Sequence, residues 1–154
     1  MRRKDRELTS ELTLEIVDKC PYVSLATINE DGSPYCMPIQ MVRQNMALYF
    51  HCAKQGKKLD NLRARPEVSL SCVTVAQTAE QDFTTYYESA IVNGTAVEVV
   101  DENEKINALR ILSERYTPQL MDIFDDYLPK YFKSAGVWRI DITTITGKAN
   151  RKPE

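Results

Sequence analysis

Between Tyr22 and Cys52 the sequence sets three β-rich runs almost end to end, with only turn-forming residues between them. No other feature constrains the fold as tightly. Tyr22 to Ile28 is rich in β-branched and aromatic residues and reads as a strand. Asn29-Glu30-Asp31-Gly32-Ser33 follows, with Asp-Gly at its centre, which is a strong hairpin signal. Pro34 to Val42 is the returning strand, and Pro38 inside it marks an edge, a bulge or a place where the ladder opens. A second hairpin turns near Gln44-Asn45, and Met46 to Cys52 is the third strand.

The flanking segments add helices and longer strands. Thr9-Ser10-Glu11 opens a helical pattern in which Leu12, Ile16, Val17 and Cys20 recur at helical spacing before Pro21 closes it. After the third strand, Leu59 and Leu62 mark a short helix that Pro66 stops. Glu67 to Val75 is a strand, Ala76 to Phe83 a polar loop, and Thr84 to Val100 one bent strand or two, broken at Asn93-Gly94. Asp101 with Glu104 resembles a helix cap and a reaching-back acid. Ile106, Leu109, Leu112 and Tyr116 give the helix it opens an apolar face. Thr117-Pro118 starts another helix, apolar through Leu120, Ile123, Phe124, Tyr127 and Leu128 and ending before Pro129. Gly136 to Ile145 is the last strand, and 147–154 reads as a basic, flexible tail.

No linker, repeat or low-complexity stretch divides residues 1–154, so the chain reads as one domain. Consecutive antiparallel strands with inserted helices point to a mainly β, α+β fold in which the sheet curls into a closed or split barrel, because closure removes exposed edges. An open sheet with helices on one side is the alternative.

Composition excludes several classes. With 43% apolar and 27% charged residues the chain is neither disordered nor fibrous, and a net charge of −2 is not that of a nucleic-acid binder. Its apolar runs are too short for a membrane-spanning helix, and no signal-type segment follows the basic start, so a cytoplasmic protein is expected. Cys20, Cys36, Cys52 and Cys72 form no C-x-x-C pair, and one histidine cannot complete a zinc site with them. They read as buried reduced thiols, and no metal site is expected.

The candidate chemistry gathers at Leu48-Tyr49-Phe50-His51-Cys52-Ala53-Lys54-Gln55-Gly56-Lys57-Lys58-Leu59, where a strand ends, a glycine follows and a helix begins with two lysines. A helix N-terminus attracts anions, whereas lysines are unfavourable there unless an anion relieves them. Gly56, Lys57 and Lys58 are therefore either a phosphate site or a solvated basic face. Strand alternation sends Met46, Leu48, Phe50 and Cys52 to one face, and Ala47, Tyr49 and His51 to the other. The first set suits the core. The second sets a phenol and the only imidazole together near the candidate phosphate site, where His51 is either a functional group or a hydrogen-bonded structural one. Tyr86-Tyr87-Glu88-Ser89 lines a pocket or forms a half-exposed sheet surface. Trp138 reads as core or interface, and Arg139 as a surface ion pair. The common dinucleotide, Walker and hydrolase signatures are missing.

In order along the chain, Met1-Arg2-Arg3-Lys4-Asp5-Arg6-Glu7, Ser24-Leu25-Ala26-Thr27 with Asp31-Gly32-Ser33-Pro34-Tyr35 and Pro38-Ile39, Tyr49-Phe50-His51-Cys52-Ala53 with Gly56-Lys57-Lys58, Tyr86-Tyr87-Glu88-Ser89, Val92-Asn93-Gly94-Thr95-Ala96 and Val137-Trp138-Arg139-Ile140-Asp141 resemble the nitroimidazole-resistance branch of the pyridoxamine-5′-phosphate-oxidase-like flavoproteins. The resemblance implies a six-stranded split β-barrel with peripheral helices, a homodimer and FMN in clefts between the subunits. It implies that Lys57 and Lys58 with the backbone near Gly56 hold the phosphate. Met37, Pro38 and Ile39 would present backbone to the isoalloxazine, Tyr49 and His51 would approach the flavin, and Trp138 and Arg139 would reach it from the partner subunit. It further implies an FMN-dependent oxidoreductase that reduces a small electrophile such as a nitroaromatic, with His51 as the catalytic donor. The end of the chain does not resemble the substrate-binding C-terminus of true pyridoxamine phosphate oxidases, so vitamin B6 oxidation is not expected. A non-catalytic flavin binder, or a related barrel using haem or F420, is the alternative.

Overall fold

The computed structural model describes residues 2–152. In chain order the elements are β1 (Glu7–Leu8), α1 (Ser10–Lys19), β2 (Val23–Ile28), β3 (Pro34–Ile39), β4 (Val42–Gln44), β5 (Ala47–Ala53), α2 (Lys57–Ala64), β6 (Glu67–Ala79), β7 (Thr84–Glu98), α3 (Glu102–Tyr116), α4 (Phe124–Phe132) and β8 (Ala135–Asn150). Short 3₁₀ turns occupy Lys4–Arg6, Glu80–Asp82 and Pro118–Ile123.

Local signals account for most of these boundaries. The Thr9 hydroxyl accepts from the Leu12 amide at 3.3 Å and opens α1. Asp101 accepts from the Glu104 amide at 2.8 Å and opens α3. In the β2–β3 turn Gly32 takes a left-handed φ of 87° while the Asp31 carboxylate accepts from the Ser33 amide at 2.9 Å. Pro129 does not end α4, which runs on to Phe132; the proline removes one backbone donor and the helix continues past it.

All pairings are antiparallel, in the order β3-β2-β6-β7-β8-β5-β4, with β1 added beside β8. β3 and β4 are thus the two edges, yet only Gln40 and Met41 separate them in the chain. The sheet must curl until its edges nearly meet, but among the described residues no ladder bridges them. This is a barrel split between β3 and β4. The expected strand Pro34 to Val42 is therefore two strands on opposite sides of the opening, and Pro38 sits on an edge that need not donate outward. Among the described residues there are eight strands rather than six, because β1 and β4 are short additions.

Three further expectations change. Residues 76–79 are not a loop: they pair with 84–87 and lengthen the β6–β7 ribbon beyond the core, where no burial alternation marks a strand. Thr84 to Glu98 is one strand, with a register shift against β8 at Asn93/Gly94. There a Cβ on Gly94 would lie 2.5 Å from the Asp141 carbonyl oxygen, so a side chain is excluded by close approach. The segment 147–154, read as a flexible tail, begins as strand: Gly147 to Asn150 pair with Ala90 to Tyr87. Pro153 and Glu154 lie outside the described residues.

The main core fills the barrel. Leu25, Leu48, Phe50, Leu70, Val92, Trp138 and Ile140 come from the strands, α1 adds Ile16 and Val17, and α2 adds Leu59 and Leu62. Burying each such side chain contributes about 1.5–3 kcal/mol. A smaller cluster of Tyr49, Val99, Ala108 and Val137 joins α3 to the outside of β5. Met46, expected inside, is exposed at the β4–β5 turn. Of the four reduced cysteines, Cys20 and Cys72 are buried as expected, Cys52 is half-buried, and Cys36 is exposed on edge strand β3.

Candidate functional site

The barrel wall opens at the C-terminal end of β5, where the chain turns through Gly56 into α2. Gly56 has φ 127° and ψ 160°, a conformation open essentially only to glycine. It is the N-cap of α2 and has no side chain to satisfy the first amides; the Leu59 amide donates to the Gly56 carbonyl at 2.8 Å, which leaves those of Lys57 and Lys58 unpaired by the helix itself. Lys57 and Lys58 stand at the same point. The Lys57 ammonium lies 4.9 Å from the Tyr35 ring on β3, and that of Lys58 lies 5.2 Å from the Phe50 ring on β5. Among the described residues neither lysine forms an ion pair. Uncapped amides beside two unneutralised ammonium groups fit a phosphate, and the residues present can hold the terminal group of a flavin nucleotide.

Two anchors hold this helix start in place. Leu59 and Leu62 sink into the main core. On the next face Asn61, only 5% exposed, donates from its amide nitrogen to the Thr27 hydroxyl at 3.1 Å and to the Asn29 side-chain oxygen at 3.0 Å. The α2 N-terminus is thereby tied to the β2–β3 hairpin. Sequence reasoning missed Asn61; its one signal was a polar residue between the two apolar positions of a short helix.

His51 lies on β5, six residues before Lys57. Although His51 is exposed at the surface, partial desolvation by the surrounding protein and then the positive charge of Lys58 hold its pKa below the ordinary histidine value. The imidazole is therefore neutral at neutral pH. On β3, Met37 is half-buried against the core, Pro38 is exposed and Ile39 is buried. Among the described residues the outer backbone of this edge strand pairs with no other strand.

The other expected residues stand elsewhere. Tyr49 shares the His51 face of β5 but lies beneath α3, where its hydroxyl donates to Glu104 at 3.0 Å; burial, then that carboxylate, raise its pKa. Arg139 belongs to the same group, donating to Glu104 and to Asp141 at 2.7 Å each. Those bonds raise its pKa, Asp141 contributing most. Glu104, expected to reach back to its own helix cap, is committed to these two partners instead. Trp138 is 2% exposed in the core of its own chain, on the opposite face from Arg139, and among the described residues its indole N–H has no partner. Within one chain, then, Lys57 stands beside Tyr35 of β3, and Lys58 stands beside Phe50 of β5, close enough for its charge to act on His51. Tyr49 and Arg139 brace α3, and Trp138 fills the barrel.

Beside His51 is a cavity of about 740 Å³. The end of β5 forms its floor, and α3, the 118–123 turn and α4 form its walls. Leu109, Leu112, Leu120, Ile123 and Tyr127 line it. Their apolar spacing was legible in the sequence as two amphipathic helices. Spacing alone does not say whether two such faces close on a core or stand apart around a space. Tyr86 and Tyr87 are half-exposed on β7 and do not line this cavity. Among the described residues no cluster of His, Cys, Asp or Glu could hold a metal ion, and no helix is long and apolar enough to cross a membrane.

Residues 9–149 match the family described as pyridoxamine 5′-phosphate oxidase. No protein of curated function matches the chain. Among solved structures it is similar to a Bacteroides thetaiotaomicron protein proposed as a 5-nitroimidazole antibiotic resistance protein (21% identity, TM-score 0.77, covering 92% of this chain and 85% of that one). It is also similar to a FAD-binding protein from Mesorhizobium loti (22%, 0.71, 95% and 98%). A third is a FAD- and haem-binding protein from Mycobacterium smegmatis (19%, 0.78, 96% and 74%). At these identities the likeness to the solved structures speaks for the fold.

Proposed function

The chain belongs to the pyridoxamine 5′-phosphate oxidase family, and from that premise we propose that it is an FMN-dependent oxidoreductase that reduces a small electrophile such as a nitroaromatic. The observation that carries the reading is the α2 start: an uncapped helix N-terminus with Lys57 and Lys58 unpaired, next to the strand end that bears His51. Lys57, Lys58 and the amides after Gly56 bind the phosphate. The free outer edge of β3 at Met37, Pro38 and Ile39 offers backbone groups to the ring system. A bound flavin supplies the electron transfer; the protein supplies position and a site partly shielded from water. His51, neutral, holds a hydrogen bond from its ring N–H to the substrate as negative charge develops there.

A homodimer completes the proposal. Val73, Val75 and Ile91 expose apolar side chains on the β6–β7 ribbon, and Phe83 at its tip is 99% exposed, as befits a surface that a second copy covers. Trp138 fills the core of its own chain, so of the two residues expected to reach across it is Arg139, part-exposed and held by Glu104 and Asp141, that the partner's flavin would meet. A haem reading draws on one observation, a neutral imidazole lining a large apolar cavity. The visible absorption spectrum separates the two. The account expects an oxidised-flavin spectrum in protein purified or reconstituted with FMN, equimolar with the chain. A Soret band without flavin would favour haem, and a colourless protein that ignores added FMN would overturn both.

A further inference from the structure

We propose that the cavity between α3, the 118–123 turn and α4 binds an uncharged, flat aromatic molecule and discriminates against its anionic counterpart. Calling that molecule the substrate rests on the function proposed above; the binding itself does not.

The lining carries the argument. Among the described residues no aspartate, glutamate, lysine or arginine lines the cavity. Three titratable groups of the lining are shifted toward their uncharged forms: burial, with Lys58, lowers the His51 pKa, and burial raises those of Cys52 and Tyr116. The Tyr116 hydroxyl is already engaged, donating to the Met41 carbonyl at 2.8 Å. Gln40, Ser113, Thr117 and Ser134 add uncharged polar groups, the Thr117 and Ser134 hydroxyls donating to the Ser113 and Tyr131 carbonyls, and the rest of the wall is aliphatic and aromatic. Tyr127 and Tyr131 stack at 6.0 Å with an interplanar angle of 18°, which sets flat ring faces on one side. Cations near the lining stand outside it: Arg110, 4.5 Å from the Phe124 ring, is committed to Asp125, Lys130 lies 4.5 Å from the Tyr127 ring, and Lys58 acts on His51 from the α2 start.

Such a space selects by desolvation. A ligand leaving water for this wall, whose Leu120, Ile123, Tyr127 and Tyr131 remain part-exposed, loses hydration on the face it lays against it. A neutral aromatic recovers the loss through apolar contact and ring stacking, whereas a carboxylate finds no cation and keeps most of its penalty. A cavity of about 740 Å³ lies within the usual range for small-molecule sites. His51 adds one directional hydrogen bond at the floor, beside the strand end that leads to Lys57 and Lys58.

The experiment compares 4-nitrobenzamide with 4-nitrobenzoate, which share ring and nitro group and differ in one negative charge. Titration calorimetry on the oxidised protein reads binding without turnover. The amide is expected to bind at least about tenfold tighter, a difference of about 1.4 kcal/mol. Leu120 is 55% exposed on the cavity wall, so Leu120→Lys leaves the fold intact, adds a cation to the lining and should erase or reverse that preference. Ile123→Lys, 40% exposed on the same turn, repeats the test if Leu120→Lys loses its melting transition. Val100→Lys adds the same charge outside the lining and should leave the preference alone. Equal binding of the two probes, binding of neither, or a preference untouched by the lysine at the wall would overturn the proposal. A protein that discriminates the probes but shows no flavin spectrum would sink the proposed function while leaving the cavity assignment standing.

Discussion

His51 is the only histidine in the chain, so its ring resonances in a proton NMR titration need no assignment. The lowered folded pKa has a definite consequence for stability. As pH falls past about 6.5 the unfolded chain takes up a proton before the folded one does. Stability from this group is therefore full above that pH, declines as pH drops toward the folded pKa, and is flat below it. Two readouts check this: a ring titration midpoint below the free value, and an unfolding midpoint whose acid decline shrinks in His51→Ala. Phosphate bound beside Lys58 would offset the charge that lowers the pKa, so FMN should move the titration upward. If His51 serves the reaction, His51→Ala retains flavin and near-normal stability while slowing reoxidation of reduced flavin by a nitroimidazole by about 10²–10⁴-fold. Stopped-flow measurement on the holo-fraction decides, and a wild-type rate in the variant removes His51 from the mechanism.

At the scale of single elements, α2 matters most, because two lysines are useful only if their helix start is fixed. Asn61→Ala removes the donor shared by Thr27 and Asn29, two acceptors on the hairpin. The expected cost is about 1–3 kcal/mol in urea unfolding, together with weaker FMN binding. An unchanged unfolding midpoint would mean that the clamp is idle. The same elements show what the sequence could and could not reveal. The Asp31-Gly32 turn, the α2 start and the caps at Thr9 and Asp101 were legible because each rests on neighbours in the chain. Alternation along β5 correctly separated Leu48 and Phe50 from Tyr49 and His51. It could not show that α3 covers one end of the second face and leaves the other open, which is why Tyr49 is a brace and His51 a cavity residue. Glu104 was misread for the same reason: its partners on β5 and β8 are distant in sequence.

For the whole molecule, the split between β3 and β4 leaves one flank of the barrel open beside α2, while the β6–β7 ribbon carries exposed Val73, Val75 and Phe83 on another surface. In the proposed homodimer, flavin binding and assembly are linked, since a ligand held at the junction stabilises the assembled form. FMN should raise the melting temperature, and dilution to monomer should weaken FMN affinity. Sedimentation showing a monomer that still binds FMN tightly would contradict this. The central claim, a flavin phosphate at the α2 N-terminus, is tested most directly by titrating FMN and riboflavin into wild type, Lys57→Ala and Lys58→Ala. A charge-assisted hydrogen bond to phosphate contributes about 1.5–3 kcal/mol, so the lysine that makes the contact should lose about ten- to a hundredfold in FMN affinity when replaced, with riboflavin affinity unchanged. Equal losses for the two ligands, or wild-type protein that binds FMN no better than riboflavin, would contradict the account.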